Sequence, residues 1–243
     1  MSDLPKRALV TGGSGGIGSA ICRRLAADGL EVIVHANHNL AGAQALAERI
    51  VADGGRAQAV AFDVTDASAT SAALQALLDT GPIQVLVNNA GIHEDAVFPG
   101  MQPAQWQRVI DVSLNGFFNV TQPLTLPMIR TRWGRIISIT SVSAIMGNRG
   151  QVNYSAAKGA LHAATRSLSL EVASRGITVN AVAPGIIATG MAESAFSADD
   201  IARMVPMKRA GTAAEVADLV AFLASDHANY ITGQVISING GMA

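Results

Sequence analysis

Arg7-Ala8-Leu9-Val10-Thr11-Gly12-Gly13-Ser14-Gly15-Gly16-Ile17-Gly18 is a short apolar run that breaks into glycine and then passes into an alanine-rich helical pattern reaching about Asp28-Gly29. Glycines permit a tight turn and close approach of the backbone. Free N–H groups at a helix start attract an anion such as a pyrophosphate. Two glycine frames fit the stretch: Gly13, Gly15 and Gly18 as G-x-G-x-x-G, or Gly12, Gly16 and Gly18 as T-G-x-x-x-G-x-G. Glycine spacing alone says little, but a position between a strand and a helix at the head of an α/β alternation is the context that a dinucleotide-binding turn requires.

The alternation continues outward. A second strand, Glu31 to Ala36, leads through Asn37-His38-Asn39 to a helix ending near Ala52. Ala57 to Phe62 reads as a strand closed by Asp63-Val64-Thr65-Asp66, followed by a helix from about Ala67 to Asp79 and a strand from Ile83 to Val87 that ends in Asn88-Asn89-Ala90-Gly91. In parallel sheets ligands bind beyond the carboxyl ends of strands, which puts Asp63 and Asn89 to Gly91 at the cofactor edge. Asp63 is equally suited to capping its own turn. An acidic residue at the end of the second strand would hold the ribose hydroxyls of NAD, and none stands between Val32 and Ala47, which favours a 2′-phosphate and hence NADP. Gly15 and Asn37 occupy places where an arginine would serve that phosphate. His35 and His38 are the nearest candidate cations, with surface loop residues as the competing reading.

Residues 103 to 132 read as one or two helices interrupted near Pro123 and Pro127, with Asn115 in Asp111-Val112-Ser113-Leu114-Asn115-Gly116. An amide beside glycine in mid-helix has little propensity reason to be there, so a backbone distortion or a polar task is expected. The β-branched run Ile136 to Thr140 ends at Ser141. The helix pattern at 153 to 175 begins with Tyr154 and Lys158, four apart and so on one face. An ammonium beside a phenol favours the phenolate and lowers a pKa that is ~10 when unperturbed, making Tyr154 a proton donor and acceptor. A packed tyrosine beside a solvated lysine is the competing reading of Y-x-x-x-K taken alone. Strand Ile177 to Val182 then runs to Pro184-Gly185, and residues 186 to 210 are irregular, as a substrate lid or an ordinary surface insertion would be. Helix 212 to 225 and strand Gln234 to Ile238 close the alternation.

The 243 residues are 49% hydrophobic, 14% charged and 4% aromatic, which suits one α/β domain spanning 1–243 with Ala, Val, Ile and Leu layers against a parallel sheet. A net charge of -1 argues against a general nucleic-acid or anionic-membrane surface. The single Cys22 excludes an internal disulfide and reads as a small buried side chain. No basic-then-apolar leader and no apolar stretch of ~18 residues are seen, so a soluble cytoplasmic protein is expected.

Together, Thr11-Gly12-x-x-x-Gly16-x-Gly18, Asn88-Asn89-Ala90-Gly91, Asn115, Ser141, Tyr154-x-x-x-Lys158 and Pro184-Gly185 resemble the short-chain dehydrogenase/reductase family over essentially the whole chain. The resemblance implies a Rossmann-like, doubly wound sheet of seven parallel strands with helices on both faces, a nicotinamide cofactor, no metal, and a homotetramer built through the long central helices and the last strand. It implies that Tyr154 is the acid/base, that Lys158 lowers its pKa and binds the nicotinamide ribose, that Ser141 orients the substrate carbonyl and that Asn115 positions a relay water. It also implies cofactor contacts from Gly12, Ser14, Gly15, Gly16, Ile17 and Gly18, from Asn37, His38, Asp63 and Val64, from Asn89, Ala90 and Gly91, and from Pro184, Gly185, Ile187 and Thr189.

Within the family, Glu171 to Asn180, Ala221 to Asp226 and Tyr230 to Met242 look like the 3-oxoacyl-[acyl-carrier-protein] reductases, and Arg132 and Arg175 match that subfamily's carrier-docking arginines. The implied reaction is NADPH-dependent reduction of a carrier-bound 3-oxoacyl thioester. Two places depart from the pattern: Gly15 stands where an arginine is usual, and His93-Glu94-Asp95 where Thr-Arg-Asp is common. Gly147 to Asn153 and Pro123 to Met128 look like paralogues that serve specialised pathways such as aryl polyene synthesis. A reductase of another small ketone or alcohol, and a non-catalytic cofactor-binding module, are the alternatives.

Overall fold

A computed structural model describes residues 5–189 and 197–243. Seven parallel strands form the central sheet in the order β3-β2-β1-β4-β5-β6-β9: β1 Arg7–Val10, β2 Glu31–Ala36, β3 Arg56–Ala61, β4 Val85–Asn88, β5 Gly134–Ile139, β6 Ile177–Pro184 and β9 Val235–Ile238. The order reverses between β1 and β4, and a doubly wound sheet opens its ligand crevice at such a switch. Register carries the two halves together, with Ala8 opposite Val85, and Ile139 opposite Val182.

Side chains alternate across the sheet and build two cores. Ala8, Val10, Val32 and Val34 face helix α1 (Gly16–Ala27), α2 (Leu40–Ala52) and the helix Ala213–Ala224. Leu9, Ile33, Leu86 and Ile136 face α3 (Ala67–Leu78), α5 (Gly116–Thr131) and α7 (Val152–Val172), the last preceded by the short α6 (Ser143–Met146). Strands buried on both faces need no polar alternation, as the continuous apolar runs anticipated. The lone Cys22 is buried in the first core, and burial pushes its thiol pKa up.

Between α4 (Pro103–Ile110) and α5 lies one π-helical turn, Asp111–Asn115, which is the distortion expected beside Gly116. The expected interruption at Pro123 and Pro127 is absent, since both prolines lie inside α5. A helix-interior proline costs about 3 kcal/mol. Val120, Leu124 and Met128, each fully buried and four apart, form one stripe against the sheet at ~2 kcal/mol apiece, so packing of that stripe offsets most of what the prolines take away.

Beyond β6, a two-stranded ribbon pairs β7 (Ile187–Ala188) with β8 (Gly211–Thr212), and the helix Ala198–Met204 lies between them. The expected lid spans this region; its residues 190–196 lie outside those described. No helix among the described residues is long and apolar enough to cross a membrane.

Candidate active site

The carboxyl ends of β1, β4, β5 and β6 surround an open cleft of ≈ 930 Å³. On one side is the glycine turn. Gly12 has φ +62°, and a Cβ on Gly18 would collide with the Gly12 carbonyl, so each position admits glycine for a separate reason. Asn89 stitches the turn to β4: its Nδ2 donates to the carbonyls of Thr11 at 2.9 Å and Gly12 at 3.1 Å, while Thr11 Oγ1 accepts from the N–H groups of Asn89 and Ala90, each at 3.0 Å.

His35 supports the turn from beneath, which corrects its reading as a cation for a phosphate. Nδ1 accepts the Gly12 N–H at 3.1 Å, leaving Nε2–H to donate to the Phe62 carbonyl at 2.9 Å. A ring nitrogen that accepts carries no proton, and burial lowers the imidazole pKa, so His35 is neutral. His38 and Asn37 remain exposed on the cleft wall, and no carboxylate stands between them and the end of β2.

Helix α1 starts at this turn with no side-chain cap and no acidic residue in its first turn. By contrast α2, α3 and the helix Ala213–Ala224 are capped by Asn39, Asp66 and Thr212. The positive end of α1 is therefore open to the cleft, and this cradle, lined by Ser14, Gly15 and Gly16, fits the phosphates of a dinucleotide. Ser14, Gly16, Ile17, Ala90, Gly91, Pro184, Gly185, Ile187 and Thr189 also line the cleft. Asp63 and Val64 stand off it: the Asp63 carboxylate accepts the Thr65 N–H and hydroxyl at 2.9 and 2.8 Å, and Val64 packs at Gly116.

Across the cleft, Ser141, Tyr154 and Lys158 come together. Tyr154 is hydrogen-bonded to Ser141. Burial raises the phenol pKa most; the Ser141 bond draws it down and the Asp95 charge pushes it up. The expected lowering by Lys158 is not what dominates here. The ammonium is 5.7 Å from the centre of the tyrosine ring, is 4% exposed and donates to the Ile139 carbonyl at 2.9 Å, and burial brings its own pKa down to about 8.

Asn115 is not at this site. It is exposed and its Nδ2 donates to Asp111 Oδ1 at 2.7 Å. The π turn shifts the helical phase, and the side chain that it turns inward is Ser113, 3% exposed, whose Oγ has no protein partner. A Cβ placed on Gly91 would lie 3.0 Å from Lys158 Nζ and 3.7 Å from Ser113 Oγ, so ammonium and hydroxyl share one small space. No spacing rule in the sequence reveals Ser113, because an extra residue in a helix breaks the period on which such rules rest. Gln151 and Asp95 were also missed, although Gln151 stands one turn before Tyr154 and both line the cleft.

Arg132 and Arg175 lie at the opposite edge. Arg132 ends α5 in the left-handed conformation and Arg175 ends the turn Ala173–Arg175, just before the first residues of β5 and β6. The two are neighbours, since Arg132 Nη2 reaches the Ser174 carbonyl at 3.4 Å.

The profile of the short chain dehydrogenase family matches residues 6–200. A 3-oxoacyl-[acyl-carrier-protein] reductase of Synechocystis sp. is 46% identical, covering 97% of this chain and 96% of its own. The protein of the same description from Aggregatibacter actinomycetemcomitans is 44% identical, covering 96% and 98%. Nodulation protein G of Azospirillum brasilense is 44% identical over 98% of both chains.

Proposed function

The chain belongs to the short-chain dehydrogenase family, a family of nicotinamide-dependent oxidoreductases, and on that footing we propose that it reduces a 3-oxoacyl thioester on acyl carrier protein to the 3-hydroxyacyl thioester with NADPH. The observation that carries the reading is the meeting of Ser141, Tyr154 and Lys158 opposite an uncapped glycine turn.

Bound along the cleft, the nicotinamide cofactor supplies a hydride to the ketone carbon. Tyr154, kept protonated by burial, gives its proton to the carbonyl oxygen, and Ser141 holds that oxygen in place. Lys158 has two N–H groups beyond its bond to Ile139, which suit ribose hydroxyls and the phenol. Ser113 takes the water-holding role expected of Asn115, because its hydroxyl shares the space at Gly91 with Lys158. Preference for NADPH follows from the end of β2, where Asn37 and His38 offer no negative charge to repel a 2′-phosphate. Asp introduced at Asn37 should erase that preference; equal kcat/KM with NADPH and NADH in the unaltered protein would reject it.

For the carrier, Arg132 and Arg175 are the docking pair. They sit at the far edge of their own sheet, so in this reading they serve the cleft of a neighbouring protomer in a homotetramer, with Phe118 and Leu126 of α5 and Leu170 of α7 as its exposed apolar contacts. The deciding measurement is kcat/KM for Arg132→Ala/Arg175→Ala with a carrier-bound 3-oxoacyl thioester and with a small thioester mimic, at low and high ionic strength. Loss confined to the carrier-bound substrate and greatest at low salt supports the reading. Equal loss on both substrates would favour a general small-ketone reductase.

A further inference from the structure

Two successive N–H groups of the glycine turn end on one residue of β2. Gly13 N–H donates to the backbone carbonyl of His35 at 2.8 Å, and Gly12 N–H donates to its Nδ1 at 3.1 Å. Gly12 also gives its carbonyl to Asn89 Nδ2 at 3.1 Å, so it is held from β2 and from β4 at once. It is the residue of the turn with positive φ, and a turn pinned there sets where the N–H groups at the start of α1 point. The imidazole has little freedom of its own. Nε2–H donates to the Phe62 carbonyl at 2.9 Å, the Phe62 ring centre lies 4.2 Å away, and His35 is 1% exposed. An imidazolium carries N–H on both nitrogens, so a proton taken up at Nδ1 would face the Gly12 N–H and break that contact. The cation would also attract an anion, but only across the turn. The local contact decides, because donor would meet donor at 3.1 Å in a place shut off from water.

We propose that His35 is a positioning residue whose bare Nδ1 holds the glycine turn in the form that takes a dinucleotide, so that cofactor binds the neutral ring and binds less tightly as the ring gains a proton. The groups around the ring set when that happens. Burial lowers its pKa, and Asp63, at the end of β3, works against burial by favouring the cation. Cys22, from α1, reaches the Gly13 carbonyl as a thiol that burial keeps neutral. β1 and β4 run on into Thr11 and Asn89, which carry no charge. His38 is a second imidazole on the exposed cleft wall and is common to every variant below.

The inference rests on the cleft's taking a nicotinamide dinucleotide and not on the acyl substrate proposed above, so its test is binding rather than turnover. Two variants of similar shape divide the question. His35→Asn places an oxygen at the level of Nδ1 and can accept from Gly12, His35→Leu cannot, and both give up the bond to Phe62. In calorimetry with NAD+ at about pH 8, His35→Asn should bind within about threefold of the unaltered protein and His35→Leu about tenfold more weakly. Toward acid, as the neutral fraction of the ring falls, Kd of the unaltered protein should rise by up to about tenfold per pH unit, a rise that His35→Asn does not share. Nitrogen NMR of the unaltered protein reads the ring directly, and it should show Nδ1 without a proton and a ring pKa that falls on saturation with NAD+. Equal affinities of the Asn and Leu variants would overturn the proposal. So would a ring pKa that rises on saturation, the mark of an imidazolium drawing the phosphates through the turn. The same series with NADP+ keeps this apart from the cofactor preference proposed above: binding that follows His35 as expected without favouring NADP+ refutes the preference and leaves this inference standing.

Discussion

Strand β5 has a buried cation at each end, and the two are treated in opposite ways. At its head, Arg135 is 1% exposed and every guanidinium nitrogen has an acceptor: Nε the Ser225 carbonyl at 3.3 Å, Nη1 the Gly134 carbonyl at 2.8 Å, and Nη2 both Asp226 and Asn229. Trp133 lies against its face at 4.1 Å. At the other end, the carbonyl of Ile139 is the single hydrogen-bond acceptor of Lys158 among the described residues, although an ammonium has three protons to give. A buried charge whose donors are all used is a structural fastener, and one with donors left over beside a cleft is available for chemistry. Burial alone does not separate them; satisfaction does.

The sharpest test of the difference removes each cation. Lys158→Met should lower kcat by ~10²–10⁴-fold while leaving the denaturant midpoint at pH 7 unchanged or higher, because the charge that is lost was costing stability. A large fall in stability would put Lys158 in the class of Arg135. Conversely, Arg135→Met strands the carbonyls of Gly134 and Ser225 and should destabilise by about 3 kcal/mol in urea unfolding, with kcat of the folded enzyme within about twofold. Asp226 is largely exposed and rehydrates, which holds the loss to that size.

A pH series separates the two cations further. Lys158 has a folded-state pKa near 8 against 10.5 for the free side chain, so between those values the unfolded chain binds the extra proton. Stability due to Lys158 therefore rises with pH across that window, by up to roughly 3 kcal/mol, and is flat below it. The urea midpoint of the unaltered protein minus that of Lys158→Met should climb from pH 8 to 10; a flat difference would mean that the ammonium is better solvated than its burial indicates.

The smallest expected effects concern the space beside Lys158. Ser113→Ala should reduce kcat roughly 5–10-fold and raise stability by about 1 kcal/mol, since a shielded hydroxyl without a partner is removed. Asn115→Ala should leave kcat within about twofold. The reverse order in steady-state assays would return the water-holding role to Asn115.

The sequence made the sheet legible through the glycine turn and the alternation of apolar runs with helical patterns, and it made Ser141, Tyr154 and Lys158 legible because four residues on a regular helix fix a shared face. What escaped it were features that depend on partners distant in the chain. His35 looked like a surface cation, because a strand buried on both faces has no pattern to show which side chain lies beneath a loop. Pro123 and Pro127 looked like breaks, because the stripe that outweighs them gains its value only against the sheet. Asn115 drew notice and Ser113 did not, because an amide beside glycine in a helix is conspicuous and a serine is not. Asp95 and Gln151 are 56 residues apart, and nothing local to either announces the other.

The π turn at Asp111–Asn115 is, in angular terms, a clutch between two rotors. One residue advances an α-helix by about 100°. The wide turn takes in one residue more than an α turn does, so everything downstream keeps the phase of a helix one residue shorter, and deleting a residue here would mend the ladder with Val120, Leu124 and Met128 still on the sheet. Winding the turn as regular α-helix at the same length would instead swing them off through that angle and bring Asn119, Pro123 and Pro127 toward it. The irregularity is thus held in place by the far end of α5, because a tidier turn of equal length would lose the face that binds the helix to the fold.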